Sequence, residues 1–195
     1  MSPEEYLRKS TTPQLLASQT ITSDSTQFTS VTGISQNYRD LRVVVQGICD
    51  RSGSTGNIYL AVNSEPSKCS SAYDGAYGAG LGPNTLTTAA YRYAPDASRG
   101  ATVGTAPGEQ STLAVAGEQY ASVTLFNYAA STPTIGQVAW LTWPKTASEV
   151  TMVTHAAWLC TEAAAVTSVQ ITLQAVGADQ LAWNTGSTLK IWGIP

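Results

Sequence analysis

The stretch VTSVQITLQAVGADQLAWNTGSTLKIWGI, residues 166–194, decides the fold class of this chain. Val169, Ile171, Leu173 and Ala175 alternate with Gln170, Thr172 and Gln174, so one face is apolar and the other carries amides and hydroxyls. That period of two is the pattern of a half-buried strand. Gly177, Asp179 and Asn184 then punctuate a polar connection, and Thr188, Leu189, Lys190, Ile191 and Trp192 alternate again. Leu189 and Trp192 fall on opposite faces of that second strand, which assigns one to a core and leaves the other for a subunit boundary.

Outward from this stretch the same signature recurs. YASVTLFNY (residues 120–128) sets Ala121, Val123 and Leu125 against Tyr120, Ser122, Thr124 and Phe126. Residues 138–143 and 150–159 are further strand patterns, the latter the longest without interruption. In the first half, LRVVVQGI (41–48) is the most β-branched segment, and NIYLAV (57–62) follows a turn-rich loop at 50–56, so the two are expected to form a long hairpin. Shorter candidates lie at 15–21, 28–31 and 89–93. About ten punctuated strands and one short helix make this an all-β chain, read as an antiparallel two-sheet β-sandwich, jelly-roll-like, which limits exposed edges at that strand count.

Two regions depart from the pattern. Residues 1–14 are read as an arm: Ser2 and Glu5 form a capping box, Pro3 suits the first helical position, and Arg8 and Lys9 suit a helix C-terminus. A helix over residues 3–9 is too short to persist alone in water, so it either docks on a surface or frays. In the docking reading Pro3, Tyr6, Leu7 and Arg8 make the contacts. Residues 63–118, within the single sandwich domain of 15–195, read as a Gly/Ala/Tyr-rich loop excursion, whose Tyr73, Tyr77, Tyr91 and Tyr93 are the candidates for an exposed binding surface.

Composition narrows the function classes. Charged residues are 12% of the chain, against about 25% in ordinary soluble domains. A net charge of −3 offers no broad positive field for phosphates, so no nucleic-acid partner is expected. No apolar run approaches the roughly 20 residues that span a bilayer, and the acidic opening MSPEEYLRKS lacks the apolar core of a secretory signal, so neither a membrane partner nor export is expected. Cys49, Cys69 and Cys160 are odd in number and widely spaced; they read as buried free thiols, and a Cys49–Cys69 disulfide has no compartment signal behind it.

Catalytic constellations are thin. His155 is the sole histidine, set in a strand pattern, five residues from Cys160 and therefore on the opposite face. It reads as a packing or interface residue rather than a catalyst. The thirteen carboxylates are scattered, and the GxGxG at Gly78, Gly80 and Gly82 precedes no helix, so it lacks the context of a phosphate-binding loop. Five tryptophans, Trp140, Trp143, Trp158, Trp183 and Trp192, read as core or subunit-interface residues, with glycan stacking as the alternative. Neither an enzymatic activity nor a cofactor is expected.

Five pieces of the chain together resemble phage virion proteins built on β-sandwich or jelly-roll modules, a family that includes capsid decoration proteins, head fibres and tail receptor-binding proteins. They are FTSVTGISQNYRDLRVVVQGICDR (28–51), IYLAVNSE (58–65), VTLFNYAAS (123–131), AVTSVQITLQAVG (165–177) and GSTLKIWGI (186–194). The resemblance implies a non-enzymatic virion part, located in the virion and assembled in the host cytoplasm, usually a homo-oligomer and often a trimer. Within that family the chain shows no heptads or fibrous repeats. A capsid decoration (cement) protein contacting the major capsid protein or other virion proteins is therefore the expectation, with a glycan-binding tail or fibre adhesin as the alternative.

Overall fold

A computed structural model describes residues 12–25, 27–50, 55–79, 87–93, 101–105, 118–143, 150–176 and 182–195. The first strands in chain order are β1 (Gln14–Thr20), β2 (Val31–Thr32), β3 (Asp40–Asp50), β4 (Thr55–Val62), β5 (Cys69–Ala79), β6 (Thr87–Tyr93) and β7 (Ala101–Thr105). There follow β8 (Glu118–Phe126), β9 (Thr134–Trp143), β10 (Val150–Cys160), β11 (Ser168–Val176), β12 (Ala182–Trp183) and β13 (Thr188–Ile194), and a single turn of 3-10 helix at Pro66–Lys68 precedes β5. The expected helix at residues 3–9, with Pro3, Tyr6, Leu7 and Arg8, lies outside the described residues.

The strands form two antiparallel sheets and make the domain an all-β sandwich. The large sheet runs β1-β13-β3-β8-β9-β10-β5-β6, with β12 attached to β3; the small sheet runs β2-β11-β4-β7. Alternation decides which side chains meet between them. Leu41, Val43 and Val45 of β3, Ala121, Val123 and Leu125 of β8, and Leu189 and Ile191 of β13 all point inward and are buried. From the small sheet, Ile58, Leu60 and Val62 of β4 and Val169 and Ile171 of β11 join the same core. Each Val, Leu or Ile side chain among them, moved out of water, contributes roughly 1.5–3 kcal/mol before ordering costs.

Two sequence expectations need correction. Strands β3 and β4 are not a hairpin: β3 lies between β13 and β8, while β4 lies between β11 and β7 in the other sheet. Both strands carry one apolar face, and the pattern says only that each faces a core, not that they share a sheet. The excursion at 63–118 is not loop alone, since it contains β5, β6 and β7. Strand β5 has a weak apolar pattern, but β10 supplies a complete partner, pairing with it at every position from Val150↔Ala79 to Cys160↔Cys69. Ladder hydrogen bonds from an already regular strand override weak local propensity.

The segment linking β1 to β2 crosses from one sheet to the other and is tied down by backbone hydrogen bonds. The Ile21 N–H donates to Ser187 O at 2.8 Å, Trp183 N–H donates to Ser25 O at 2.7 Å, and Phe28 N–H donates to Ile171 O at 3.1 Å. Phe28 and Trp183, both fully buried, meet with ring centroids 5.6 Å apart. Asn63, at φ 52°, fastens the end of β4 to the entry of β11. Its Oδ1 accepts the Thr167 N–H at 2.8 Å and its Nδ2 donates to Ala165 O at 3.0 Å.

The GSTLKIWGI ending now has a physical reading. Gly186, at φ +95°, turns the chain where a side chain would be strained. Ser187 is buried, packed so closely on Gly47 that a Cβ there would sit 2.3 Å from its Oγ. Gly193 lies beneath the buried Tyr38 ring, where a Cβ would stand 2.3 Å from Cδ2. Gly193→Ala is therefore expected to cost about 2 kcal/mol or more, through displacement of Tyr38, as a lower urea midpoint at unchanged slope.

Tyr128 gives the fold a pH dependence. The residue is fully buried, and its hydroxyl donates to Ser35 O. Burial favours the neutral phenol and pushes its pKa up from 10.0 to about 12. The folded state thus keeps a proton that the unfolded chain releases from pH 10 upward, so this contribution is complete below pH 10 and declines as pH rises to about 12. Urea midpoints measured across that interval should fall less steeply in Tyr128→Phe than in the parent protein.

Candidate docking surface

The outward face of the large sheet differs from an ordinary solvated face. Register places Phe126 of β8, Ile135 of β9 and Leu159 of β10 side by side, through the pairs Phe126↔Ile135 and Leu159↔Ile135. Their exposures are 37%, 58% and 36%, and with Leu15 of β1 they are the exposed large apolar side chains of the described residues. Isolated exposed apolar residues are ordinary; three adjacent across neighbouring strands form a stripe. Ile194 of β13 and Asp40 of β3 lie in the same row, through Ile194↔Asp40 and the adjoining Leu41↔Leu125 pair.

Asp40 braces this end of the sheet. Its carboxylate accepts the Asn127 N–H at 3.0 Å and pairs with Arg39, also at 3.0 Å. Asn127, at φ 50°, begins the turn that carries the chain from Phe126 to Ile135. Two of the stripe's three strands, β8 and β9, therefore have their connection held at its start by a buried carboxylate.

One row away, the outward face holds a groove of about 380 Å³ lined by Pro13, Arg42, Val44, Tyr120, Trp192 and Ile194. Arg42 spans its floor, donating from Nε to Ser122 Oγ at 3.0 Å. Trp192 is half-buried here while Leu189 is fully buried, so the expectation that they occupy opposite faces holds.

The residues singled out from sequence disperse. Trp140, Trp158 and Trp183 fill the core, and only Trp192 of the four whose side chains are described reaches the surface. Tyr73, Tyr77, Tyr91 and Tyr93 do not sit in a loop: they are positions of β5 and β6, which pair Tyr73↔Tyr91, Ser71↔Tyr93 and Tyr77↔Thr87. The glycines and alanines between them suggested a loop because small residues weaken the alternation from which a strand is read. His155 is exposed in the middle of β10, on the opposite face from buried Cys160. Its neighbours across the ladder are Ala139 and Asp74.

Cys160 finds its partner elsewhere. It stands directly opposite Cys69, Sγ to Sγ 3.2 Å, both buried and both free thiols. The Cys49 side chain lies outside the described side chains. Among the described residues no three His, Cys, Asp or Glu side chains converge as metal ligands, and no helix is long and apolar enough to cross a membrane.

The Phe126–Ile135–Leu159 stripe was missed in the sequence, although a signal existed. Phe126 is an apolar residue on the otherwise polar Tyr120, Ser122 and Thr124 face of its strand. Neither protein-family models nor curated proteins give a match to this chain.

Ile135→Asp should leave the unfolding midpoint within about 0.5 kcal/mol of the parent, because the side chain is already mostly in water. It should also shorten retention on a hydrophobic-interaction column, which reads the stripe directly.

Proposed function

We propose that the chain is a non-enzymatic virion structural protein, most specifically a capsid decoration (cement) protein that stabilises a shell by surface docking. The observation that carries this reading is the exposed row of Phe126, Ile135 and Leu159 on a rigid sheet face. Apolar side chains held in register by three strands lose little conformational freedom on binding, so their burial against a partner is offset by only a small ordering cost. At roughly 25 cal/mol per Å², such a stripe contributes usefully to adhesion when repeated over many copies on a particle.

The strand orders β1-β13-β3-β8 and β2-β11-β4-β7 support the finer fold reading. Eight strands interleave between two sheets of four, as in a jelly roll. Strands β5 and β6, inserted between β4 and β7, and β9 and β10, inserted between β8 and β11, widen one sheet. The apolar stripe lies largely on this widened part. In this reading the segment 1–13 docks on the capsid or on a neighbouring subunit, within a homo-oligomer for which three-fold symmetry is favoured. The adhesin alternative relied on loop-borne tyrosines, and their positions in β5 and β6 take that support away.

Two variants test the proposal on undecorated capsids: deletion of residues 1–13, and Ser at Phe126, Ile135 and Leu159 together. Each is expected to lose particle occupancy while keeping the parent far-UV circular dichroism. Full occupancy of both variants sinks the decoration reading. Glycan-array binding by the parent without capsid affinity replaces it with the adhesin.

A further inference from the structure

Cys69 and Cys160 open β5 and close β10, and the ladder sets them directly opposite one another. Directly opposed antiparallel residues stand about 4.5 or 5.5 Å apart at Cα, inside the span that disulfides bridge. The backbone holds this placement on both sides of the pair, independently of the sulfurs. Leu159 is matched to Ser70 on one side, and on the other the Thr161 N–H donates to Lys68 O at 2.9 Å. The two Sγ atoms already lie 3.2 Å apart, so side-chain rotation alone has about 1 Å to close.

We propose that Cys69 and Cys160 are a disulfide site, oxidised by a low-molecular-weight disulfide such as oxidised glutathione to lock β5 against β10. The inference does not depend on the virion reading. In the first step one protein thiolate, taken as Cys160, attacks one sulfur of the reagent, forming a mixed disulfide and releasing one glutathione thiolate, which takes up a proton. In the second, deprotonated Cys69 attacks the Cys160 sulfur, forming the intramolecular bond and expelling the second glutathione. Two protein thiols and one reagent disulfide become one protein disulfide and two reagent thiols.

In the folded pair the hydrogen bond makes Cys160 the more acidic thiol, whereas in the opened or unfolded chain either sulfur can attack first and the products are the same. Cys69 donates to Cys160, and this accepted bond stabilises the Cys160 thiolate and lowers its pKa from 9.0 to about 7, against the opposing effect of burial. The donor is raised, since losing its proton breaks the same bond. Because both residues are buried in the folded state, exchange proceeds as the chain folds or when this end of the β5–β10 ladder opens. The bond closes a loop from residue 69 to residue 160 that contains β6 to β9. A covalent link across so long a loop constrains the unfolded chain strongly.

The test uses the full-length Cys49→Ser variant, which leaves only this pair. After refolding with oxidised glutathione, the titratable thiols in denaturant should fall from two to none, and a peptide map should join Cys69 to Cys160. The thermal midpoint should rise by about 10 °C relative to the reduced protein and return with dithiothreitol. Native-sequence protein refolded in parallel should retain one thiol, assigned to Cys49. Persistence of both thiols in the Cys49→Ser variant, or a link to Cys49 in the native sequence, overturns the proposal.

Discussion

The register of β13 against β3 is the constraint from which the rest of this structure follows. Leu189 pairs with Val45 and Ile191 with Val43, and all four side chains are buried. Slippage of β13 by one residue would present Lys190 and Trp192 to the core and turn Leu189 and Ile191 outward. One turn and two close contacts oppose that slip. Gly186 supplies a left-handed turn, Ser187 nests on Gly47, and Gly193 admits the Tyr38 ring at van der Waals range. Each acts through shape rather than charge, which suits a chain so poor in ionisable residues.

With β13 placed, polar contacts hold the strand connections alongside the apolar core, one within the small sheet and one between the two sheets. Asn63 ties β4 to β11, and the Tyr128 hydroxyl reaches the Ser35 carbonyl while its own carbonyl accepts the Val166 N–H at 2.8 Å. These contacts satisfy groups that would otherwise be stranded at the ends of the sandwich, where leaving one unmade costs about 1–3 kcal/mol. They also fix where β11 begins, and so where its inward residues Val169 and Ile171 fall.

The sequence was legible wherever one side of a strand faced the core and the other faced water. Alternation located β3, β8, β10, β11 and β13 and indicated two antiparallel sheets. It was silent on which sheet each strand joins, because Val43 in one sheet and Leu60 in the other obey the same period; hence the misplaced hairpin. Strand β6 was legible at 89–93, but β5 and β7 escaped because Gly, Ala and Ser give little contrast between faces, and the partner that fixes β5, β10, lies far along the chain. The same distance hid the Cys69–Cys160 pair and the Asn63 clasp, both products of topology rather than of local spacing. The outward stripe was partly visible at Phe126, but its meaning needed Ile135 and Leu159 beside it.

The interior position of β13 also orders events during synthesis. It lies between β1 and β3, strands made near the beginning of the chain, and until residues 188–194 leave the ribosome those two have an open slot between them. Val43 and Val45 then lack their final neighbours, and unpaired backbone on β1 and β3 is available to other chains. Until then the sheet is incomplete, and β13 closes contacts with β1 and β3 of very high sequence separation, which are intrinsically slow to form.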